Sequence, residues 1–152
     1  MTIRERLQAA LKDALRAKEA ARLSTLRLIN AAIKDRDIAV RGDGQDAGVS
    51  DADILGILGK MVKQRQESAR AYAEGGRTDL AEKELEEIRV IEEFLPRQLT
   101  AVEVDAAIAA AVAEAGATGI RDMGKVMAVL KGRYTGRMDF GAAGPRIKAL
   151  LS

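Results

Sequence analysis

The sequence predicts an all-α protein, and three observations support this prediction. Apolar residues recur at spacings of three and four in several long segments, whereas no segment sustains the period-two alternation of a β-strand. A serine or threonine followed three residues later by an acidic residue, a signal for a helix start, stands before three of these segments. Glycine or proline follows most of them.

Four longer helices are predicted before Pro96. The first begins at a capping box formed by Thr2 and Glu5, because the threonine hydroxyl can accept from the amide three residues on. Its apolar face carries Leu7, Leu11 and Leu15. The second helix carries Leu23, Leu26, Ile29 and Ile33. The glycine- and aspartate-rich segment 41–48 then predicts a break.

The third helix is predicted to start at Ser50, with acidic residues in its first turn that complement the helix dipole. Its inward stripe comprises Ile54, Leu58, Met61, Val62, Arg65, Ala69 and Tyr72, and Gly75-Gly76 ends it. The fourth helix runs from about Asp79. Its inward positions are Leu80, Ala81, Leu85, Ile88, Ile91 and Leu95. Pro96 closes it, because proline cannot donate to the helix ladder.

Three shorter helices are predicted after Pro96. Thr100 and Glu103 form a capping box that opens an alanine-rich helix, which Gly116 ends. Asp122 is predicted to cap the next helix, which stops at Gly132 and buries Met123, Val126, Met127 and Leu130. The last helix ends at Leu150 and Leu151 and has two alternative starts: at Gly144-Pro145, or at Phe140 with a kink at the proline. The predicted domains are therefore residues 1–96 and 97–152.

Composition excludes several classes of protein. The 152 residues suffice for one moderate core or two small ones. No cysteine is available for disulfides or thiol chemistry, which is compatible with a reducing compartment. The first residues lack the apolar run of a signal peptide, and no segment approaches the roughly 18 apolar residues of a membrane helix. We therefore expect a cytoplasmic protein without a membrane partner.

Charge is distributed unevenly. Residues 1–96 hold 17 basic and 18 acidic side chains, whereas residues 97–152 hold 8 and 5. Within the latter, a segment punctuated by five glycines carries the basic side chains expected to bind RNA: Lys125, Lys131, Arg133, Arg137, Arg146 and Lys148. Tyr134 is placed to stack on an unpaired base. Lys60 and Lys63 form a second basic surface, which ordinary pairing with nearby glutamates also explains.

Catalytic machinery is scarce in the sequence. There is no histidine and no cysteine, so the commonest general base and the commonest soft metal ligands are missing. The serines 24, 50 and 68 have no histidine partner, and the spacing of Ser68 from Lys60 and Lys63 does not place them on adjacent turns of one face. The glutamates between 82 and 93 are typical of a solvated helix face. No phosphate-binding loop is present. We predict no catalytic residue, no metal and no cofactor.

Several separated motifs resemble the GatB/YqeY family along the whole chain, and its YqeY-like branch in particular. They are, in order, KMVKQRQES at 60–68, GRTDLA at 76–81, EI at 87–88, FLPRQL at 94–99, DMGKVM at 122–127 and KGR at 131–133. The resemblance implies a helical N-terminal domain and a three-helix C-terminal domain similar to the GatB tail domain of aminoacyl-tRNA amidotransferases. That tail contacts tRNA. The chain departs from the common tail pattern at residues 138–141 and at Gly144-Pro145.

Together these features predict a tRNA-associated accessory protein that binds tRNA, or an aminoacyl-tRNA synthetase or amidotransferase complex, through its basic C-terminal domain; DNA is not an expected partner. Two alternatives stay open. One is a protein–protein adaptor without RNA contact. The other is participation in glutamine-dependent amide transfer, because members of the family often carry a label as carbon–nitrogen ligases with glutamine as amido-N-donor.

Overall fold

A computed structural model describes residues 1–42, 44 and 48–152. These residues form seven α-helices and contain no β-strand, so the all-α prediction is confirmed. The helices are α1 (Ile3–Arg16), α2 (Ala20–Arg41), α3 (Asp51–Glu74), α4 (Thr78–Glu92), α5 (Ala101–Ala115), α6 (Met123–Tyr134) and α7 (Phe140–Leu151). A short 3-10 turn, Ile120–Asp122, precedes α6. The chain divides into two compact units, Met1–Pro96 and Arg97–Ser152.

Local capping explains where three helices begin. The hydroxyls of Thr2, Ser50 and Thr100 each accept from the backbone N–H three residues on, at 3.1, 3.2 and 3.2 Å. The reciprocal half of the capping box, from acid to cap backbone, is present at α3 and α5. These contacts satisfy amides that no helix turn can reach, which confirms the predicted starts.

The N-terminal unit surrounds a core drawn from all four of its helices. Its fully buried side chains include Leu7, Leu26, Ile29, Ile54, Leu58 and Ile91. The predicted inward positions of Leu15, Tyr72 and Leu85 are wrong, because these side chains are exposed. In α1, Ala14 takes the core position of the last turn, and α3 extends beyond the core after Ala69. In α4, the buried stripe turns towards Ile91, so Leu85 lies on its outer edge.

The break predicted over 41–48 lies only partly within the described residues. Arg41 still belongs to α2, and Gly42 caps that helix. Residues 43 and 45–47 lie outside the described part of the chain. The stop at Gly75-Gly76 is confirmed, since Gly75 caps α3 and Gly76 adopts a φ of +77°.

The C-terminal unit has its own core beneath α5, α6 and α7. Its buried side chains are Ala107, Ile108, Ala111, Val126, Leu130, Met138, Ala143 and Ile147. Gly116 ends α5 with a φ of +64°, as predicted. The stop at Gly132 is wrong, because α6 continues to Tyr134 and turns only at Gly136, where φ is +78°.

Two helix starts in the C-terminal unit differ in how well the sequence predicts them. Asp122 does not cap α6, because its carboxylate instead accepts from the N–H of Thr118 at 3.0 Å. The last helix begins at Phe140, where Asp139 accepts from Gly141 N at 2.9 Å. This settles the open alternative and leaves Pro145 inside α7. Among the described residues, no helix is both long and apolar enough to span a bilayer.

Candidate nucleic-acid interface

The six predicted RNA-binding side chains all lie in the C-terminal unit. Lys125, Lys131 and Arg133 belong to α6, Arg146 and Lys148 belong to α7, and Arg137 lies in the turn between these helices. They fall into two groups with different surroundings: the three lysines are open to solvent, whereas the three arginines are engaged within the unit.

The lysines keep their ammonium groups exposed. The side chain of Lys125 is 72% exposed, and its Nζ lies 3.9 Å from Asp122 Oδ1, one turn back. That carboxylate is already bonded by the N–H of Thr118, and this bond is the main reason why the pKa of Asp122 lies below its ordinary value. Lys131 and Lys148 are exposed and have no carboxylate partner in the described part of the chain. All three are therefore available to an outside anion.

Two of the arginines are neutralised by acids on α5. Arg133 forms an ion pair with Glu114, and Arg146 forms one with Asp105. Glu114 lies one turn from the end of α5 and Asp105 in its first half, so the two pairs tie α6 and α7 to opposite ends of one helix. The sequence analysis missed both acids, because their partners lie 19 and 41 residues away and no local spacing connects them.

Arg137 has a structural role. Its Nε donates to the carbonyl of Arg97 at 3.0 Å, and its guanidinium lies 5.8 Å from the centre of the Tyr134 ring. Its own carbonyl accepts from Leu99 N at 2.9 Å. These bonds fasten the α6–α7 turn to the segment before α5. One face of Tyr134 is thus occupied, and the half-buried ring packs against the core rather than standing free for a base.

The helix geometry separates the six side chains. Lys131 and Arg133 are two residues apart on α6, as are Arg146 and Lys148 on α7, and residues two apart do not share a helix face. Arg97 adds no free charge, because its guanidinium binds Glu103 through two bonds of 2.8 and 2.9 Å. This arginine holds the pKa of Glu103 at about 2, assisted by the N–H of Thr100.

The remaining predicted site residues lie in the N-terminal unit. Lys60 and Lys63 are exposed and, three residues apart, lie on one side of α3. Ser24 borders an open groove of about 780 Å³ between α2 and α4. Charged side chains of this groove are already paired, Arg22 with Glu93 and Glu87 with Arg65. Among the described residues, no group of three or more acidic side chains is arranged to hold a metal ion.

Comparison with known proteins gives one family match. The model of the family described as Yqey-like protein matches residues 4–151, nearly the entire sequence. The match runs through both compact units, so neither unit stands outside it.

Curated relatives include yeast proteins named altered inheritance of mitochondria protein 41, mitochondrial. The protein of Vanderwaltozyma polyspora is 33% identical over 89 residues, which is 59% of this chain and 46% of the relative. That of Clavispora lusitaniae is 37% identical over 90 residues, 59% of this chain and 49% of the relative. The chain thus spans about half the length of the relatives it matches. The prediction of a cytoplasmic location is wrong, because these relatives are named as mitochondrial proteins.

Proposed function

The chain belongs to the Yqey-like protein family, and from this premise we propose that it is a tRNA-associated accessory protein whose C-terminal unit contacts RNA. The contacts are made by Lys125, Lys131 and Lys148, while Arg133, Arg137 and Arg146 hold the unit together. The observation that carries the proposal is that these lysines keep exposed ammonium groups in a unit with eight basic and five acidic residues.

Bare backbone beside two of the lysines supports this proposal. Gly124 precedes Lys125 and Gly132 follows Lys131, and both glycines are exposed. A Cβ built on either glycine meets no atom within 4 Å. A phosphodiester strand can therefore approach the helix surface closely at both places while the lysine contacts a phosphate.

The paired arginines also fit the proposal. A guanidinium forms two parallel hydrogen bonds with a carboxylate, so it suits a fixed internal ion pair, whereas a lysine ammonium is a mobile, strongly hydrated point charge. Mobile point charges suit contacts with phosphates whose positions vary along a folded RNA.

The test is a binding titration of tRNA with the triple variant Lys125→Gln, Lys131→Gln, Lys148→Gln over a range of salt concentrations. Removal of three phosphate contacts should weaken binding and reduce the slope of log K against log salt by about 2 to 3. A matched control removes three exposed cations from α3 and α4 by Arg70→Gln, Lys83→Gln and Arg89→Gln, and should leave the slope unchanged.

An unchanged affinity and slope in the lysine variant would show that this unit does not contact RNA. A protein partner that co-purifies after nuclease treatment, with no tRNA binding by the wild-type chain, would instead favour the adaptor alternative.

A further inference from the structure

The first two helices carry a charge excess that the balance of the whole N-terminal unit conceals. Residues 1–42, which form α1 and α2, hold ten basic and five acidic side chains. Residues 48–96, which form α3 and α4, hold seven basic and eleven acidic ones. One half of the unit is thus strongly cationic and the other strongly anionic, and an excess of five positive charges on 42 residues exceeds that of the C-terminal unit.

Three of the cations on α1 and α2 are engaged within the unit. Arg4 binds Asp37 at 2.7 Å, Arg22 pairs with Glu93, and Arg6 lies over the Phe94 ring and donates to the Glu93 carbonyl. In the part of the chain that the structure describes, the other seven form no ion pair: Lys12, Arg16, Lys18, Arg27, Lys34, Arg36 and Arg41. Exposed cations of this number strongly attract polyanions.

Several of these cations border one continuous depression. An open groove of about 420 Å³ on α1 is lined by Lys12 and Arg16, and a groove of about 430 Å³ between α1 and α2 is lined by Lys34 and Arg41. The two grooves adjoin, because both include Gln8.

The spacing along α2 suits an extended ligand. Arg27, Lys34 and Arg41 follow one another at intervals of seven residues, which places them in a row with about 10 Å between neighbours. A single phosphate cannot touch two of these side chains at once, whereas a polymer with regularly repeated phosphates can.

The floor of the depression is polar. Gln8 Nε2 donates to Asn30 Oδ1 at 3.3 Å across α1 and α2. The apolar residues that reach the groove, Leu7 and Ile33, are buried, and Ile38 is the lone strongly exposed apolar side chain among its described lining residues. A membrane-binding helix needs a broad apolar face to insert, which this surface lacks. Amide side chains between cations are instead typical of contacts with the phosphates and sugars of RNA.

We propose that the outer face of α1 and α2 is a second RNA-contact surface, with Lys12, Arg16, Arg27, Lys34 and Arg41 bound to the phosphodiester backbone. The choice of RNA as the polyanion rests on the proposed function, whereas the surface is separate from the lysines of the C-terminal unit.

The test compares three variants of the full chain in tRNA titrations at several salt concentrations. The first is Lys12→Gln, Lys34→Gln, Arg41→Gln; the second is the triple lysine variant of the C-terminal unit; the third is the control on α3 and α4. Each lowers the net charge by three. The first should lose at least about tenfold in affinity at about 0.1 M salt, with a slope smaller by about 2 to 3. A charge-preserving variant, Lys12→Arg, Lys34→Arg, Arg41→Lys, should bind like the wild type.

The combinations of outcome separate the two proposals. Loss in the α1–α2 variant alone supports this surface and overturns the contact by the C-terminal unit. Loss in the C-terminal variant alone overturns this surface, and so does equal loss in the control on α3 and α4. Absence of tRNA binding in the wild type overturns both. Wild-type binding to phosphatidylglycerol vesicles, lost in the α1–α2 variant and unaccompanied by tRNA binding, would identify a membrane surface instead.

Discussion

Asp37 joins three segments of the N-terminal unit. Its carboxylate accepts two bonds from Arg4 of α1, at 2.7 and 2.9 Å, and a third from the N–H of Val49, just before α3, at 2.9 Å. Arg4 also donates to the carbonyl of Val49 at 3.0 Å. These bonds to the charged form, with that of Arg4 foremost, lower the pKa of Asp37 to about 2.

We expect Asp37→Asn to lower the free energy of unfolding by about 1 to 2 kcal/mol at neutral pH, because an amide cannot accept all three bonds. Since the folded state lowers the pKa of Asp37, its contribution is present above the ordinary value of 3.8 and is lost as the pH falls towards 2. Urea unfolding at neutral and acidic pH measures this difference. Asp35→Asn is the control, because Asp35 is an exposed neighbour on α2 without such bonds. Equal effects of both substitutions would contradict the role of Asp37.

At the same scale, the candidate site shows what a count of charges can and cannot predict. The exposure of Lys125 follows from the buried positions around it on α6, so the pattern places it correctly outside. The pairing of Arg133 with Glu114 depends on how α5 lies against α6, which no spacing in the sequence specifies. Charge counted over 96 residues also hid the cationic α1 and α2, whereas charge counted by pairs of helices would have found them.

Among the helices, starts were predicted better than ends. The starts of α3 and α5 depend on bonds within four residues, so the sequence contains the whole signal. An end depends on whether packing outweighs a weak local preference. Gly132 disfavours a helix by only about 1 kcal/mol, and the buried Leu130 and half-buried Tyr134 keep α6 helical through it.

Pro145 makes α7 the least favourable helix of the C-terminal unit. It is the sixth residue of the helix and has no N–H to donate to the carbonyl of Gly141, while its exposed ring contributes no core contact. We therefore expect Pro145→Ala to raise the free energy of unfolding of this unit by about 1 to 3 kcal/mol. Chemical denaturation followed by circular dichroism measures the change. Pro145→Gly restores the N–H without the helix preference of alanine, so its gain should be smaller; a loss of stability with alanine would mean that the proline fits α7 better than its geometry indicates.

For the whole molecule, the separation of the two cores has a consequence for unfolding. The core of the first unit lies entirely between Ile3 and Leu95, and that of the second between Leu99 and Leu151. A unit of 56 residues buries a smaller fraction of its surface than a larger domain and has correspondingly little stability to spare. We infer that the units unfold separately, as two domains.

Leu130 tests this inference, because it is fully buried in the core of the C-terminal unit. Leu130→Ala should remove about 2 to 5 kcal/mol, enough to unfold a small unit. Amide NMR signals of residues 97–152 should then collapse to the narrow range of an unfolded chain, while those of α1 to α4 keep their positions. Leu58→Ala, at an equally buried site of the N-terminal unit, should have the converse effect. If either substitution removed the folded signals of both units together, the chain would be one cooperative domain, and its two cores would depend on each other for stability.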